Sequence, residues 1–177
     1  MQQETLWIAK AKEGDHKAFR ALYDLHLAPL YRFLRQFTSE TGEVEEWVQR
    51  AFVKAFEHLG SYDARARFST WLFTLGLNEM RMDRRRAQRA PTGSLADEEV
   101  PASAIEPEEF EWEETMRAWM QDLDETKRAV FVLYEVEGYS HAEIAEMLGI
   151  GESTSRTILS RTKRYLKDRW RNEEIKQ

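Results

Sequence analysis

The sequence contains no cysteine among its 177 residues. Disulfide bridges, thiolate zinc sites and cysteine nucleophiles are therefore excluded, and the composition is typical of a reducing cytoplasm. Proline and glycine are scarce, with 4 and 8 residues, and runs of β-branched residues are rare. Because proline and glycine break helices and β-branched residues favour strands, their scarcity predicts an all-α fold.

Long apolar segments are missing as well. The longest one, residues 129–134 (AVFVLY), is far shorter than the roughly 20 residues that a helix needs to span a bilayer. The N-terminal segment MQQETLWIAKAKEGD lacks the basic start and apolar stretch of a signal peptide. We therefore expect a cytoplasmic protein with no segment inserted in the membrane.

The chain also lacks an excess of basic residues. It has 26 Lys plus Arg against 32 Asp plus Glu, a formal net charge of −6. A nucleic-acid-binding protein usually has a basic surface, so any such binding here must depend on a local patch. The charges are in fact segregated: residues 81–89 contain five arginines, residues 97–114 nine acids and no base, and residues 156–171 seven bases and one aspartate.

The acidic segment is expected to be a linker. It holds three of the prolines, Pro91, Pro101 and Pro107. Proline is excluded from helix interiors, and the low apolar content cannot support a core. Residues 90–109 are therefore predicted to join two helical domains, residues 1–89 and residues 110–177.

Apolar residues in the first half follow helical spacing. Asp15 is expected to cap a helix that Pro29 disturbs further along. The clearest apolar stripe belongs to the next helix and comprises Val44, Trp47, Val48, Ala51, Phe52, Ala55 and Phe56. A loop over residues 61–67 then leads into a third helix, from about Phe68 to Arg86.

The second half contains the signals of a helix-turn-helix. Asp124 and Ser153 are expected to cap helices. Ser140 followed three residues later by Glu143 is a capping box, and Gly149 stands where a helix C-terminus needs glycine. Two short helices joined by such a turn are typical of DNA-binding proteins.

The last helix divides into two sides. Leu159, Leu166 and Trp170 are predicted to face the core, with Ser155 and Thr162 on the same side. The opposite side consists of Arg156, Ser160, Lys163, Arg164, Lys167 and Arg171. This stripe suits a major groove, with its first residues at base edges and its later ones at phosphates. A solvated basic face is the alternative, but the preceding turn favours DNA binding.

Three segments together resemble a known family. Residues 133–150 (LYEVEGYSHAEIAEMLGI) strongly resemble region 4 of bacterial extracytoplasmic-function (ECF) sigma factors of the sigma-70 family. Residues 44–56 (VEEWVQRAFVKAF) are similar to a helix of region 2 with the pattern acidic-x-Leu-Val-Gln-x-x-Phe. Residues 68–78 (FSTWLFTLGLN), followed by DRRR at 83–86, match the region 2 helix with a Phe-x-x-Trp-Leu pattern and an arginine-rich end.

The resemblance implies two helical domains and a function that is not enzymatic. Region 2 would occupy residues 1–89 and region 4 residues 110–177. The acidic linker, residues 90–109, would lie in the positively charged channel of RNA polymerase. An inert solubilising spacer is the alternative for the linker.

The resemblance also implies contacts with core RNA polymerase. Region 2 of the family docks on the clamp helices of the β′ subunit, and region 4 on the β flap. Glu45, Glu46 and Gln49 match the docking face, whereas Arg50 stands where many members carry an acid. A solvated helix face is the alternative for the two glutamates.

Region 2 of the family melts and reads the −10 promoter element, which requires a pocket for flipped bases and a basic groove. The implied base contacts are Tyr62, Phe73 and Asn78. The implied phosphate contacts are Arg65, Arg67, Arg81, Arg84 and Arg85. For Trp71 there are two alternatives, a position in the core or a platform on which a base stacks. Thr70 and Thr74 are predicted to share a polar face with Asn78 and Arg81.

Region 4 of the family reads the −35 element with the second helix of its helix-turn-helix. The implied DNA contacts are Arg156, Thr157, Ser160, Arg161, Lys163, Arg164 and Lys167. Ile158 stands where several relatives carry Arg or Gln. The base sequence that this protein reads in the −35 element therefore cannot be inferred from that of any relative.

The implied function is an alternative sigma factor, which directs core polymerase to promoters and opens the DNA. Family members are commonly controlled by a separate anti-sigma factor. A rival interpretation is a helix-turn-helix repressor or activator with a helical sensory domain, which leaves residues 47–56 and 68–86 without a role.

An enzyme is the third class of interpretation. The four histidines are scattered, and His141 is expected to be an exposed residue at a helix start. No pair of Glu-x-x-His motifs supports a di-iron helical bundle, and there is no Walker loop or glycine-rich dinucleotide turn. We therefore expect no metal, no cofactor and no catalytic residue.

Overall fold

The computed structural model describes residues 2–89 and 114–174. These ranges consist of helices and turns and contain no strand, so the all-α prediction is confirmed. The chain divides into two compact units, Met1–Glu108 and Glu109–Gln177. The linker predicted at residues 90–109 lies outside the described residues, so its bounds stay a prediction.

Four helices form the described part of the first unit, residues 2–89. They are α1 (Gln2–Lys12), α2 (His16–Arg35), α3 (Thr41–His58) and α4 (Phe68–Arg89), with one 3₁₀ turn (Leu59–Ser61) after α3. Helices α2, α3 and α4 pack on one another, and α1 packs on α2. The core contains Leu22, Leu30, Phe33, Leu34, Trp47, Phe68, Leu72, Phe73, Leu77 and Met80, all with essentially no exposed surface.

The start of α2 is capped as predicted. The Asp15 carboxylate accepts hydrogen bonds from the backbone amides of Ala18 at 3.2 Å and Lys17 at 2.8 Å, and these bonds lower its pKa. The expectation that Pro29 disturbs this helix is wrong, because α2 runs through it without a break. Pro29 has no N–H to donate to the carbonyl of Leu25, so one helical hydrogen bond is lost. Because Leu25 is exposed, water can satisfy its carbonyl oxygen.

The apolar stripe of α3 is buried, with one exception. Phe56 is 45% exposed and lies at the edge of the unit, against Phe19 (ring centres 4.9 Å apart) and His16 (5.7 Å). Trp47 is buried and donates a hydrogen bond from Nε1 to the Asp83 carboxylate at 3.1 Å. This bond joins α3 to α4.

Helices α2 and α4 approach each other closely at Gly76. A Cβ atom there would lie 2.9 Å from Leu30 Cδ1 and 3.3 Å from Leu34 Cδ1. The two leucines therefore occupy the space that a side chain would need. Glycine at this position permits the close packing of the two helices.

The second unit is built around a long C-terminal helix. Its helices are α5 (Glu114–Gln121), α6 (Glu125–Phe131), α7 (His141–Leu148) and α8 (Glu152–Glu174), and a π-helical turn (Val132–Val136) follows α6. The Asp124 cap is confirmed by a 2.9 Å hydrogen bond from the Lys127 amide. The buried Arg128 donates to the carbonyls of Gln121 at 2.8 Å and Leu123 at 3.0 Å, which closes the end of α5.

The helix-turn-helix has the geometry that the sequence predicts. Ser140 and Glu143 form a reciprocal capping box at the start of α7. Gly149 has φ 66°, in the left-handed region, and ends the helix. The prediction for Ser153 is wrong: α8 begins at Glu152, so Ser153 lies inside its first turn.

We predict that Gly149→Ala destabilises the second unit by about 1–2 kcal/mol, because an alanine Cβ is strained in the left-handed conformation. Gly149→Asn should cost less, since asparagine tolerates this region. Urea unfolding and amide exchange in α7 would measure both. Equal stability of wild type and the alanine variant would contradict the role of the turn.

Candidate nucleic-acid and polymerase interfaces

Helix α8 has one buried side. Ser155, Leu159, Thr162 and Leu166 are buried, as predicted. Trp170 was expected in the core, but this is wrong, because its side chain is 42% exposed. It lies near the end of α8, where its ring meets Trp119 edge-on with centres 6.2 Å apart.

The other side of α8 is exposed. All seven side chains predicted to contact the −35 element lie on the surface: Arg156, Thr157, Ser160, Arg161, Lys163, Arg164 and Lys167. Two of them are ion-paired, Arg156 with Glu152 and Lys163 with Glu135. The exposed side is therefore a basic surface that is accessible from solvent.

His141 joins α7 to α8. Its Nδ1 lies 2.9 Å from the hydroxyl of the buried Ser155, and its ring stacks on Tyr134 with centres 4.5 Å apart. The sequence suggested only an exposed helix-start residue. The 14-residue separation of His141 and Ser155 carries no pattern that could have revealed this contact.

In the first unit, several residues predicted to contact the −10 element are accessible. Asn78, Arg65, Arg67 and Arg85 are exposed, and Arg81 and Arg84 are half-exposed. Arg84 also donates to the carbonyl of Phe37 at 2.5 Å, so it helps to hold the end of α2. A role in DNA binding for these six residues stays a prediction.

Phe73 cannot contact a base in this structure, and that prediction is wrong. Its side chain has no exposed surface, and its ring centre lies 5.2 Å from that of Phe33. The helical spacing of α4 turns Phe73 toward the core together with Leu72 and Leu77. It is a core residue of the first unit.

Tyr62 is likewise buried, so the prediction of a base contact is wrong in this conformation. Its hydroxyl donates to the carbonyl of Ala66 at 2.6 Å, which closes the loop. Burial raises the pKa of the phenol above its usual 10.0. Trp71 is half-buried, with its ring 5.2 Å from Tyr62, and so belongs partly to the core and partly to the surface.

The polar face predicted along α4 is only partly present. Thr70 is 1% exposed, and Thr74 turns its hydroxyl back to the carbonyl of Thr70 at 2.8 Å. Threonine hydroxyls often bond to the helix in this way. Only Asn78 and Arg81 of that face present polar groups outward.

Helix α1 contacts the loop over residues 61–67, and the sequence did not suggest this contact. The Lys12 ammonium donates to the carbonyl of Tyr62 and lies 5.5 Å from the centre of its ring. Ala64 in the same loop has φ 60°, which is strained for a residue other than glycine. The loop that carries Arg65 and Arg67 is thus held by Lys12 of α1 and by the hydrogen bond from the Tyr62 hydroxyl to Ala66.

A buried histidine fixes α1 to α2. His26 Nε2 lies 2.9 Å from Glu4 Oε1. Burial lowers the pKa of His26 below its usual 6.5, while the hydrogen bond and charge of Glu4 oppose that shift. The neutral imidazole therefore predominates near pH 7.

The residues predicted to dock on polymerase lie on the outer side of α3. Glu46 and Gln49 are exposed, and Glu45 is half-exposed. Arg50 pairs with Glu46 on one side and with Asp83 at 3.3 Å on the other. The arginine found in place of an acid therefore links α3 to α4, through a partner 33 positions away that sequence spacing could not identify.

Residues 2–89 and 114–174 contain no group of three His, Asp or Glu side chains that could hold a metal ion. In the same ranges, no helix is both long enough and apolar enough to cross a bilayer.

Comparison with known proteins identifies the family. The sigma-70 region 2 model matches residues 22–90, and the sigma-70 region 4 model matches residues 114–166. The ECF sigma factor SigL of Mycobacterium tuberculosis is 31% identical over 168 residues, covering 90% of this chain and 93% of SigL. The chain belongs to the ECF sigma factors. Members of this family are transcription regulators rather than enzymes.

Two solved structures share the fold of this sigma factor. CnrH, in complex with the cytosolic domain of CnrY, has a TM-score of 0.72 at 24% identity, over 96% of this chain and 98% of CnrH. The sigma factor RpoE, in complex with the anti-sigma factor NepR from Bartonella quintana, has a TM-score of 0.69 at 21% identity, over 86% of this chain and 96% of RpoE. Helix α1 precedes the region 2 match, and Lys167 lies just beyond the region 4 match.

We predict that Glu4→Gln lowers the pKa of His26 further, because it removes the charge that favours the imidazolium. The folded pKa already lies below the unfolded value, so this histidine stabilises the fold above about pH 6.5, and that contribution is lost as the pH falls. NMR titration of the ring would measure the shift. Glu13→Gln, at an exposed position after α1, is the control, and a similar pKa in all three proteins would refute the Glu4 contact.

Proposed function

We propose that this sigma factor binds core RNA polymerase, recognises the −10 and −35 promoter elements and promotes melting of the DNA. The observation that carries the proposal is the helix-turn-helix of the second unit, whose last helix buries one side and presents a basic side. The family matches to region 2 over residues 22–90 and to region 4 over residues 114–166 support it.

In this proposal, α8 reads the −35 element from the major groove. The first turns of a recognition helix approach base edges, which assigns Arg156, Thr157 and Ser160 to bases. Arginine is suited to the two acceptors of guanine. The later residues Arg164 and Lys167 would bind phosphates and set the register without reading sequence.

The −10 element would bind along α4 and the loop before it. Asn78 is exposed, and its side-chain amide has both a donor and an acceptor for a base edge. Arg65, Arg67 and Arg85 would hold the backbone of the opened strands. Trp71, with part of its ring exposed beside Tyr62, can stack on a base that leaves the duplex.

Docking on polymerase would use the outer side of α3. Glu45, Glu46 and Gln49 would contact the clamp helices of the β′ subunit, and the second unit the β flap. Arg50 would orient Glu46 through their ion pair. The acidic residues 90–109 would lie in the positively charged channel between these contacts.

Control by a separate anti-sigma factor is part of the proposal. It is supported by RpoE, a protein of the same fold that is bound to the anti-sigma factor NepR. Such a partner would compete with polymerase for the two units. The protein would act in the cytoplasm, where bacterial polymerase works.

Run-off transcription with bacterial core polymerase and a library of promoter-like templates tests the proposal. We expect discrete new transcripts, and Arg156→Ala should reduce them by about 5-fold to 150-fold, since one lost bidentate base contact costs roughly 1–3 kcal/mol. Arg20→Ala, at an exposed arginine of α2, should leave them unchanged. Absence of transcripts with every template, together with tight operator binding by the protein alone, would favour a simple repressor or activator.

Docking is tested separately by co-migration with core polymerase. Glu46→Arg reverses a charge on the docking surface and breaks the pair with Arg50. We expect affinity for core polymerase to fall about 10-fold or more, because a charge of the wrong sign opposes the partner and disturbs Arg50. Glu13→Arg is the control with the same change of net charge. Equal loss in both variants would show a long-range charge effect instead of a contact.

A further inference from the structure

The DNA-facing side of α8 is not uniformly basic. Arg156 is paired with Glu152, one turn earlier on the helix, and Lys163 is paired with Glu135 on the π-helical turn. Other bases of this side make no ion pair with any residue that the structure describes: Arg161, Arg164 and Lys167. The bases of the recognition helix are therefore of two kinds, paired and unpaired.

The paired bases lie along one edge of the exposed side. Glu152, Arg156 and Lys163 are spaced i, i+4 and i+11, which places them within about 40° of one another around the helix. This edge borders the π-helical turn that carries Glu135. Of the unpaired bases, Arg164 and Arg161 lie further round the helix, about 80° and 140° from Arg156, whereas Lys167 lies about 20° from it.

The pair between Glu135 and Lys163 is the more informative of the two. It joins elements 28 positions apart, with Lys163 Nζ 2.8 Å from Glu135 Oε1. The lysine is 55% exposed and the glutamate 32% exposed. The hydrogen bond and charge of Glu135 raise the pKa of Lys163, so the ammonium is charged and bound to the Glu135 carboxylate. Exposed pairs of this kind are weak, and a DNA phosphate can replace the carboxylate.

We propose that Glu135 tunes the affinity of this sigma factor for DNA by occupying Lys163 until a phosphate displaces it. The proposal rests on the proposed function, in which α8 meets the −35 element. Phosphate contacts act on every sequence alike, whereas base contacts discriminate. Engaging one phosphate-binding lysine therefore weakens binding to DNA of any sequence and leaves the base contacts with a larger share of the affinity.

Glu135→Gln tests the inference in the intact chain. The probe is a fluorescently labelled duplex without promoter elements, titrated at several salt concentrations. Freeing Lys163 should raise affinity at low salt by about threefold to tenfold and steepen the salt dependence by about one counterion. Glu146→Gln removes the same charge from an exposed position of α7 that has no ion pair among the described residues, and should change affinity by less than about twofold.

A double-mutant cycle with Lys163→Met isolates the pair. If Glu135 acts through Lys163, Glu135→Gln has no effect in the Lys163→Met background. An undiminished effect there would show direct repulsion between Glu135 and phosphate and overturn the inference, as would equal effects of Glu135→Gln and Glu146→Gln. Thermal unfolding of each variant checks its folding, and Glu135→Ala provides a second removal of the carboxylate.

The two proposals fail in different ways. If the wild-type protein supports run-off transcription but Glu135→Gln behaves like Glu146→Gln, only the role of Glu135 is overturned. If the wild-type protein supports no transcription, the proposed sigma function is overturned. The duplex titration would then still report whether Glu135 limits DNA binding by α8.

Discussion

Burial of one narrow stripe of α8 against α6 and α7 determines what the second unit can present to DNA. Side chains leave a helix at about 100° per residue, so a fixed buried stripe also fixes the direction of every other side chain. Two of the four stripe residues, Ser155 and Thr162, are small and polar, and the first is anchored by His141. The basic residues are thereby turned outward together, as one surface on one rigid element.

The first unit uses polar contacts differently. Trp47 and Arg50 on α3 meet the same carboxylate, Asp83 on α4. One of these two residues is core and the other belongs to the surface proposed to meet polymerase. The surface proposed to meet the −10 element is similarly tied to the core through Tyr62, which is buried and shapes the loop carrying Arg65 and Arg67. Positions proposed to bind partners are thus supported by residues that never touch them.

Local sequence signals predicted local structure well. Asp15, Asp124 and the Ser140 capping box begin helices as expected, because a cap needs only a side-chain acceptor and an amide two or three residues on. Gly149 ends α7 for an equally local reason, its left-handed backbone. A prediction was wrong where a local rule did not account for the surrounding structure. At Pro29, the hydrogen bond that proline cannot donate lies at an exposed turn of α2, so the helix continues.

The sequence by itself determined the helical class, the helix-turn-helix and the basic side of its last helix, because periodicity, caps and turn residues act over a few positions. It could not decide which aromatic residues are accessible: the family resemblance implied base contacts for Phe73 and Tyr62, yet helix packing buries both. Nor could it find the pairs His141–Ser155, Arg50–Asp83 and Lys163–Glu135. Only the tertiary structure decided these, since each contact joins residues on different helices or turns whose relative rotation is set by the buried core.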